Sequence, residues 1–145
     1  MIAVDTNILV AFQRLEYPTH TRAVEMVTQL AEGRAPWALP SPCLHEFLAI
    51  VTHPRIFKTP TPLPHALAAV SALLESPWVQ VLTEGPKHWD KLAHLVTVAH
   101  ITGPAVHDAR IAAICIANGV SELWTADRDF SRFPELKTRN PLIGT

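Results

Sequence analysis

Cysteine and glycine are scarce in this chain, long apolar runs and strong net charge are missing, and each shortage removes a class of protein. Cys43 and Cys115 are the only cysteines in 145 residues. Both fall among apolar neighbours in predicted helices, so they read as buried free thiols in a reducing cytoplasm rather than as a disulfide or a zinc pair. The five glycines form no glycine-rich phosphate loop. No apolar stretch approaches the roughly 18 residues of a membrane span, and the start lacks the basic segment, apolar core and cleavage site of an export signal. A soluble protein without a membrane partner is expected. The formal net charge of −1 excludes a polycation, so a nucleic-acid partner has to be met by local basic patches or by bound cations. Eight histidines, at positions 20, 45, 53, 65, 88, 94, 100 and 107, are scattered without HxH or HxxxH spacing, which argues against a transition-metal site and for surface or helix-end positions.

What is present is the composition of an ordered domain. With 48% hydrophobic and 17% charged residues, the chain is expected to fold as a single domain over 1–145, burying roughly 68–70% of its unfolded surface. Strand and helix patterns alternate along it. A short apolar run from Met1 to Val4 is followed by a helix from about Thr6 to Arg14, and Thr19 is placed to cap a second helix through Leu30, closed by Gly33. Trp37 to Leu39 reads as a strand, and Ser41 followed by Pro42 as a capped helix start, with Leu44, Phe47, Leu48 and Val51 on one face. The four prolines between His53 and Pro64 predict a loop before a helix over Leu63 to Leu74. Trp78 to Leu82 reads as a strand, and Lys87 to His100 as a helix with Trp89, Leu92, Leu95 and Val96 inward. A helix begun by Thr102, Gly103 and Pro104 then leads through Gly119 into the strand Leu123–Trp124, and Leu136 to Arg139 is a candidate edge strand. Alternating strands and helices predict right-handed crossovers, hence a three-layer α/β/α sandwich around a mostly parallel sheet of four to five strands.

The candidate chemistry lies where strands end in acid. The stretch VHDARIAAICIANGVSELWTADRDF, Val106 to Phe130, joins a helix that is apolar on more than one side to a strand that stops at Thr125, Ala126, Asp127, Arg128, Asp129. Asp108 sits in the first turns of that apolar helix, where the helix dipole favours a negative charge. The first strand likewise stops at Asp5, Thr6, Asn7, although an aspartate there also suits a plain helix cap. Glu46 occupies an early turn of the third helix, as a site acid or as an ordinary solvated residue. In parallel α/β sheets ligands bind at the C-terminal ends of the strands. Two carboxylates about 4 Å apart repel by roughly 4 kcal/mol at an effective dielectric near 20, so a cluster of four calls for cations. Oxygen ligands without His or Cys suit Mg²⁺ or Mn²⁺.

These segments together resemble one family. VDTNILV, the glutamate of the third helix, the loop HPRIF, the helix HDARIAAICIANG and the strand end TADRDFSRFP are similar, in order and spacing, to the PIN-domain ribonucleases and to the VapC toxins of type II toxin–antitoxin systems. The likeness covers essentially the whole chain. It implies a PIN-like fold and an endoribonuclease that hydrolyses RNA with Mg²⁺ or Mn²⁺. A VapB-like antitoxin that holds the enzyme inactive and a homodimer are implied as well. Asp5, Glu46, Asp108 and Asp127 are then the metal-binding catalytic acids. Asp129 has two readings, a role through water on a second ion or a cap of the turn before Phe130. Thr6, Asn7 and Thr125 are read as groups that orient the carboxylates, a role compatible with helix capping. Arg110, Arg128 and His107 are candidate RNA contacts, each with a plain alternative; for the arginines it is a salt bridge to a nearby acid.

Two other classes compete with the nuclease. A PIN-like RNA-binding or interaction module without catalysis would lose part of the acidic quartet, which is complete here. A metal-dependent hydrolase of small phosphate esters would more typically show a DxD after the first strand, where this chain has Asp5-Thr6-Asn7.

Overall fold

The computed structural model describes residues 1–144. Five strands, β1 (Ile2–Val4), β2 (Trp37–Pro40), β3 (Val79–Leu82), β4 (Glu122–Trp124) and β5 (Thr138–Arg139), form one sheet in the order β3-β2-β1-β4-β5. All four pairings are parallel. Six α-helices connect them: α1 (Thr6–Gln13), α2 (His20–Glu32), α3 (Ser41–Val51), α4 (Leu63–Leu74), α5 (His88–Val98) and α6 (Val106–Ala117).

Alternation along the central strands assigns side chains to two cores. Ala3, Ala38 and Leu123 turn to one side, where they pack with Leu95, Phe130 and the buried face of α6. Val4, Trp37, Leu39 and Trp124 turn to the other, against Ile8, Met26, Phe47 and Leu73. A period of two within strands thus yields the three-layer α/β/α sandwich read from the sequence. Trp37 is fully buried, and its indole Nε1–H donates to Ser76 Oγ at 3.0 Å. That hydroxyl donates onward to the Ala31 carbonyl at 2.8 Å, so the polar edge of the ring is satisfied inside the core.

Three local expectations are corrected. Trp89 is 74% exposed rather than inward, because the first turn of α5 overhangs the core that Leu92, Leu95 and Val96 reach. Thr19 occupies the cap position of α2 but its hydroxyl makes no capping bond. Ser41 is the first residue of α3 and Pro40 is the cap, so Pro42 stands at the second helical position. Proline at the helix start still fixes φ there without forfeiting an intrahelical bond.

Helices α5 and α6 end in the same motif with different residues. Gly119 (φ 70°) follows α6, with Val120 N–H donating to the Cys115 carbonyl at 3.0 Å and Gly119 N–H to Ile116 at 3.2 Å. His100 (φ 53°) follows α5, with Ile101 N–H on Val96 at 2.9 Å and His100 N–H on Thr97 at 3.3 Å. Both are Schellman ends, which place one residue in the left-handed region. Gly119→Ala is expected to destabilise the fold by about 1 kcal/mol, whereas His100→Gly stabilises it by a few tenths to about 1 kcal/mol. Urea melts of the two variants test the opposite signs.

The topology also fixes where a ligand can approach. The chain runs outward from β1 through β2 to β3, then returns to β4 on the other side of β1. The crossovers therefore leave β1 and β4 in opposite directions and open a crevice at their C-terminal ends. Asp5 follows β1 there, and Thr125 to Asp127 follow β4.

Candidate metal centre

Asp5 is the fixed point of this crevice. It is 5% exposed, and both of its carboxylate oxygens are engaged. Oδ1 accepts the Thr6 N–H at 2.7 Å and the Cys43 thiol at 3.5 Å. Oδ2 accepts the Thr125 hydroxyl at 2.8 Å and Asn7 Nδ2 at 3.2 Å. The bond from Thr6 also caps α1, so capping and holding the carboxylate are one interaction. Burial raises the Asp5 pKa and the Glu46 charge adds to the rise, while the bonds from Thr125, Thr6 and Cys43 pull against them.

Hydrogen bonds from this anchor reach the neighbouring elements. Asn7 Nδ2 also donates to Thr125 Oγ1 at 3.1 Å, and its Oδ1 accepts the Ala126 N–H at 2.9 Å, tying the end of β4 to α1. Thr125 Oγ1 accepts the Asp127 N–H at 3.0 Å. The Thr6 hydroxyl donates to Glu46 Oε2 at 3.1 Å, linking α1 to the exposed acid of α3. Thr6, Asn7 and Thr125 therefore each touch a carboxylate, and Thr125 uses its donor and both acceptor positions.

Asp108, Asp127 and Asp129 converge beside Asp5, with one carboxylate oxygen of each lying within 4.8 Å of the others. The turn before Phe130 is capped by Asp127, whose Oδ1 accepts the Asp129 N–H at 2.8 Å. Asp129 is exposed and supplies its carboxylate to the group instead. Asp108 records the crowding: burial, then the charges of Asp127, Asp5, Asp129 and Glu46, raise its pKa to about 6. The oxygens that converge, from Asp108, Asp127 and Asp129 without His or Cys, fit a hard metal cation that would relieve their repulsion, while Asp5 and Glu46 lie outside that group and act on Asp108 through their charge.

The cationic candidates separate. Arg110 is paired with Glu84, a partner from the segment after β3 that local sequence could not reveal. Arg128 has no ion pair among the described residues. His107 lines a cavity of about 570 Å³ between α3 and α6, together with Glu46, Asp108 and Arg110. The sequence reading missed Cys43 as a neighbour of Asp5. Its place one turn before Glu46 on the same helix was the available signal. Burial pushes the Cys43 thiol pKa well up, and that of Cys115 to about 12, so both stay protonated. No helix among the described residues is long and apolar enough to cross a membrane.

Comparison with known proteins identifies the family. The PIN domain model matches residues 2–136. The chain is 35% identical over 144 residues to ribonuclease VapC43 of Mycobacterium tuberculosis, covering 99% of this chain and 97% of the relative. It is 30% identical to ribonuclease VapC31 of the same organism, with 97% and 99% covered. Among solved structures, VapBC2 from Rickettsia felis bound to a promoter DNA fragment superposes with a TM-score of 0.68 at 21% identity, over 97% of this chain and 98% of the other. A family model spanning nearly the whole sequence, and relatives of matching length, lead to one conclusion: the chain belongs to the PIN-domain family.

Proposed function

We propose that this chain is an endoribonuclease toxin of a type II toxin–antitoxin system that hydrolyses RNA phosphodiester bonds with Mg²⁺ or Mn²⁺ held by Asp5, Glu46, Asp108 and Asp127, with Asp129 on its open side. The observation that carries the reading is the convergence of Asp108, Asp127 and Asp129 to within 4.8 Å at the crevice beside Asp5, in a chain of this family. A cation bound there supplies charge neutralisation at the phosphodiester and a water made more acidic.

The chain's own residues do the rest. Asp5, locked by four hydrogen bonds, sets the position of the group. Asp127 has one oxygen engaged by the Asp129 N–H and contributes a carboxylate oxygen to the group. A water oxygen forms the new bond to phosphorus as the bond from phosphorus to the 3′ oxygen breaks, and the leaving 3′ oxygen takes a proton from solvent. The proton of the attacking water passes to a carboxylate of the group, and Asp129, exposed to solvent, is placed to take it. The products carry a 5′-phosphate and a 3′-hydroxyl. Arg128 and His107 hold phosphate oxygens of the strand, and Arg110 joins them when it leaves Glu84.

A VapB-like antitoxin is the proposed inhibitor, in keeping with a similar solved structure being a VapBC assembly. An apolar groove of about 230 Å³, between Phe12, Val27 and Ala31 on one side and Ala69 and Leu73 of α4 on the other, offers it a place for apolar anchors. A homodimer is proposed from the same family likeness, and Trp78 and Val81, 46% and 44% exposed beside the open edge of β3, are apolar surface of the kind a second copy covers.

RNA and a small phosphate ester assayed side by side, with Mn²⁺ and with EDTA, test the proposal. RNA cleaved only with Mn²⁺, and the ester untouched, is the expected result. Ester hydrolysis without RNA cleavage would assign the site to small phosphates, and RNA binding without cleavage would make the chain a binding module.

A further inference from the structure

The acid group lies between two cavities. Asp108 stands on the wall of the one between α3 and α6, and Asp127 on the wall of a second, about 310 Å³, at the C-terminal ends of β4 and β5. Arg128, Thr138, Arg139 and Asn140 line the second cavity. A strand cut at these acids leaves in two directions, and each phosphate it carries is repelled by the carboxylates gathered there, so cations along the path favour it.

The cations near the crevice are unequal. Arg110, in the α3–α6 cavity, is compensated by Glu84. Arg128 and Arg139 have no carboxylate partner among the described residues, and both face the β4–β5 cavity. The Arg139 guanidinium lies 5.9 Å from the centre of the Trp124 ring, which limits its freedom without neutralising it. Its carbonyl accepts the Thr125 N–H at 2.9 Å, so the part of Arg139 that builds the scaffold is backbone and the side chain is left over.

We propose that the β4–β5 cavity is the subsite for the phosphate adjoining the scissile one in a single-stranded RNA, with Arg139 as its principal cation and Arg128 beside it. This rests on the nuclease reading above. A phosphate seated in a cavity, rather than laid on a surface, requires a strand that splays from its neighbours, which a continuous duplex does not offer. Arg139 is a binding residue here and takes no part in moving protons or holding the metal.

The test is the salt dependence of KM and kcat for a single-stranded RNA with Mn²⁺, in wild type, Arg139→Gln, Arg139→Lys and the control Arg34→Gln. Arg34 precedes β2, at the N-terminal end of the strands and away from the crevice, and is exposed, so its loss removes the same charge elsewhere. For Arg139→Gln, KM is expected to rise about tenfold and the slope of log KM against log salt to fall by about 0.7, with kcat within about twofold of wild type. Arg139→Lys recovers most of the slope, Arg34→Gln matches wild type, and the thermal shift on adding Mn²⁺ is the same in all four. An unchanged KM and slope in Arg139→Gln overturns the proposal. So does a fall in kcat, or a lost Mn²⁺ shift, that Arg139→Lys fails to restore, because that marks a scaffold role. If wild type leaves RNA intact, it is the nuclease reading that fails, and anisotropy of labelled RNA across the same salt series still decides whether Arg139 holds a phosphate.

Discussion

Asp108→Asn abolishes Mn²⁺-dependent RNA cleavage, by on the order of a thousandfold or more, and at the same time makes the metal-free protein more stable than wild type at pH 7.5. The two effects share a cause. Asp108 is placed by α6 among Asp127, Asp5, Asp129 and Glu46, and burial together with their charges raises its pKa to about 6 from an ordinary 3.8. The folded chain therefore binds this proton more tightly than the unfolded chain does. Its contribution to stability is complete below pH 4 and is lost as pH rises through 6. At pH 7.5 Asp108 is ionised and works against the metal-free fold. Asparagine keeps the shape, removes the charge, and with it the proposed metal ligand. Differential scanning calorimetry in EDTA is expected to show the wild-type melting temperature falling between pH 5 and 7.5 more steeply than that of the variant. Equal pH slopes, or full activity in the variant, would contradict the role given to Asp108.

Thr125→Val is the second large effect, although Thr125 is not itself a proposed ligand. Valine matches the shape but deletes a hydroxyl that donates to Asp5 at 2.8 Å and accepts from Asn7 at 3.1 Å and from the Asp127 N–H at 3.0 Å. Thr125 is 4% exposed, so water does not readily replace those bonds. The expected cost is about 2–4 kcal/mol in chemical denaturation, from a buried carboxylate and an amide left underbonded. Activity falls about 10–100-fold, as when a group that orients a metal ligand is removed. Thr125→Ser, which keeps the hydroxyl, recovers most of both. A Thr125→Val protein as stable and as active as wild type would remove Thr125 from the account.

The fold was legible because its signals are local and periodic. The central strands are built on short apolar runs and each helix on a repeat of apolar positions, and Gly119 and the proline-rich loop before Leu63 mark ends that the structure keeps, whereas β5, Thr138–Arg139, holds no apolar residue. The positions of Asp5, Asp108 and Asp127 were legible for a related reason: an acid directly after an apolar strand, or inside an apolar helix, is conspicuous against its surroundings. What escaped depends on distance in sequence. Glu84 meets Arg110 across 26 residues and Arg139 lines the cavity of Asp127 only because β5 adds to the edge of β4. The cap positions were misread for a different reason. Thr19 and Ser41 have the right side chains, but the chain enters α2 without a side-chain cap and enters α3 from Pro40. Trp89 was placed inward by spacing alone, which gives the face of a helix but not where the core beneath it stops.

The central claim is that carboxylates from β1, α3, α6 and the end of β4 share a divalent cation. Its most direct measurement is a Mn²⁺ titration of the protein followed by electron paramagnetic resonance, in wild type and in Asp108→Asn. Saturable binding in wild type that weakens at least tenfold in the variant is the predicted result. Equal Mn²⁺ affinity in the two proteins, or no saturable binding in wild type at millimolar Mn²⁺, would contradict it.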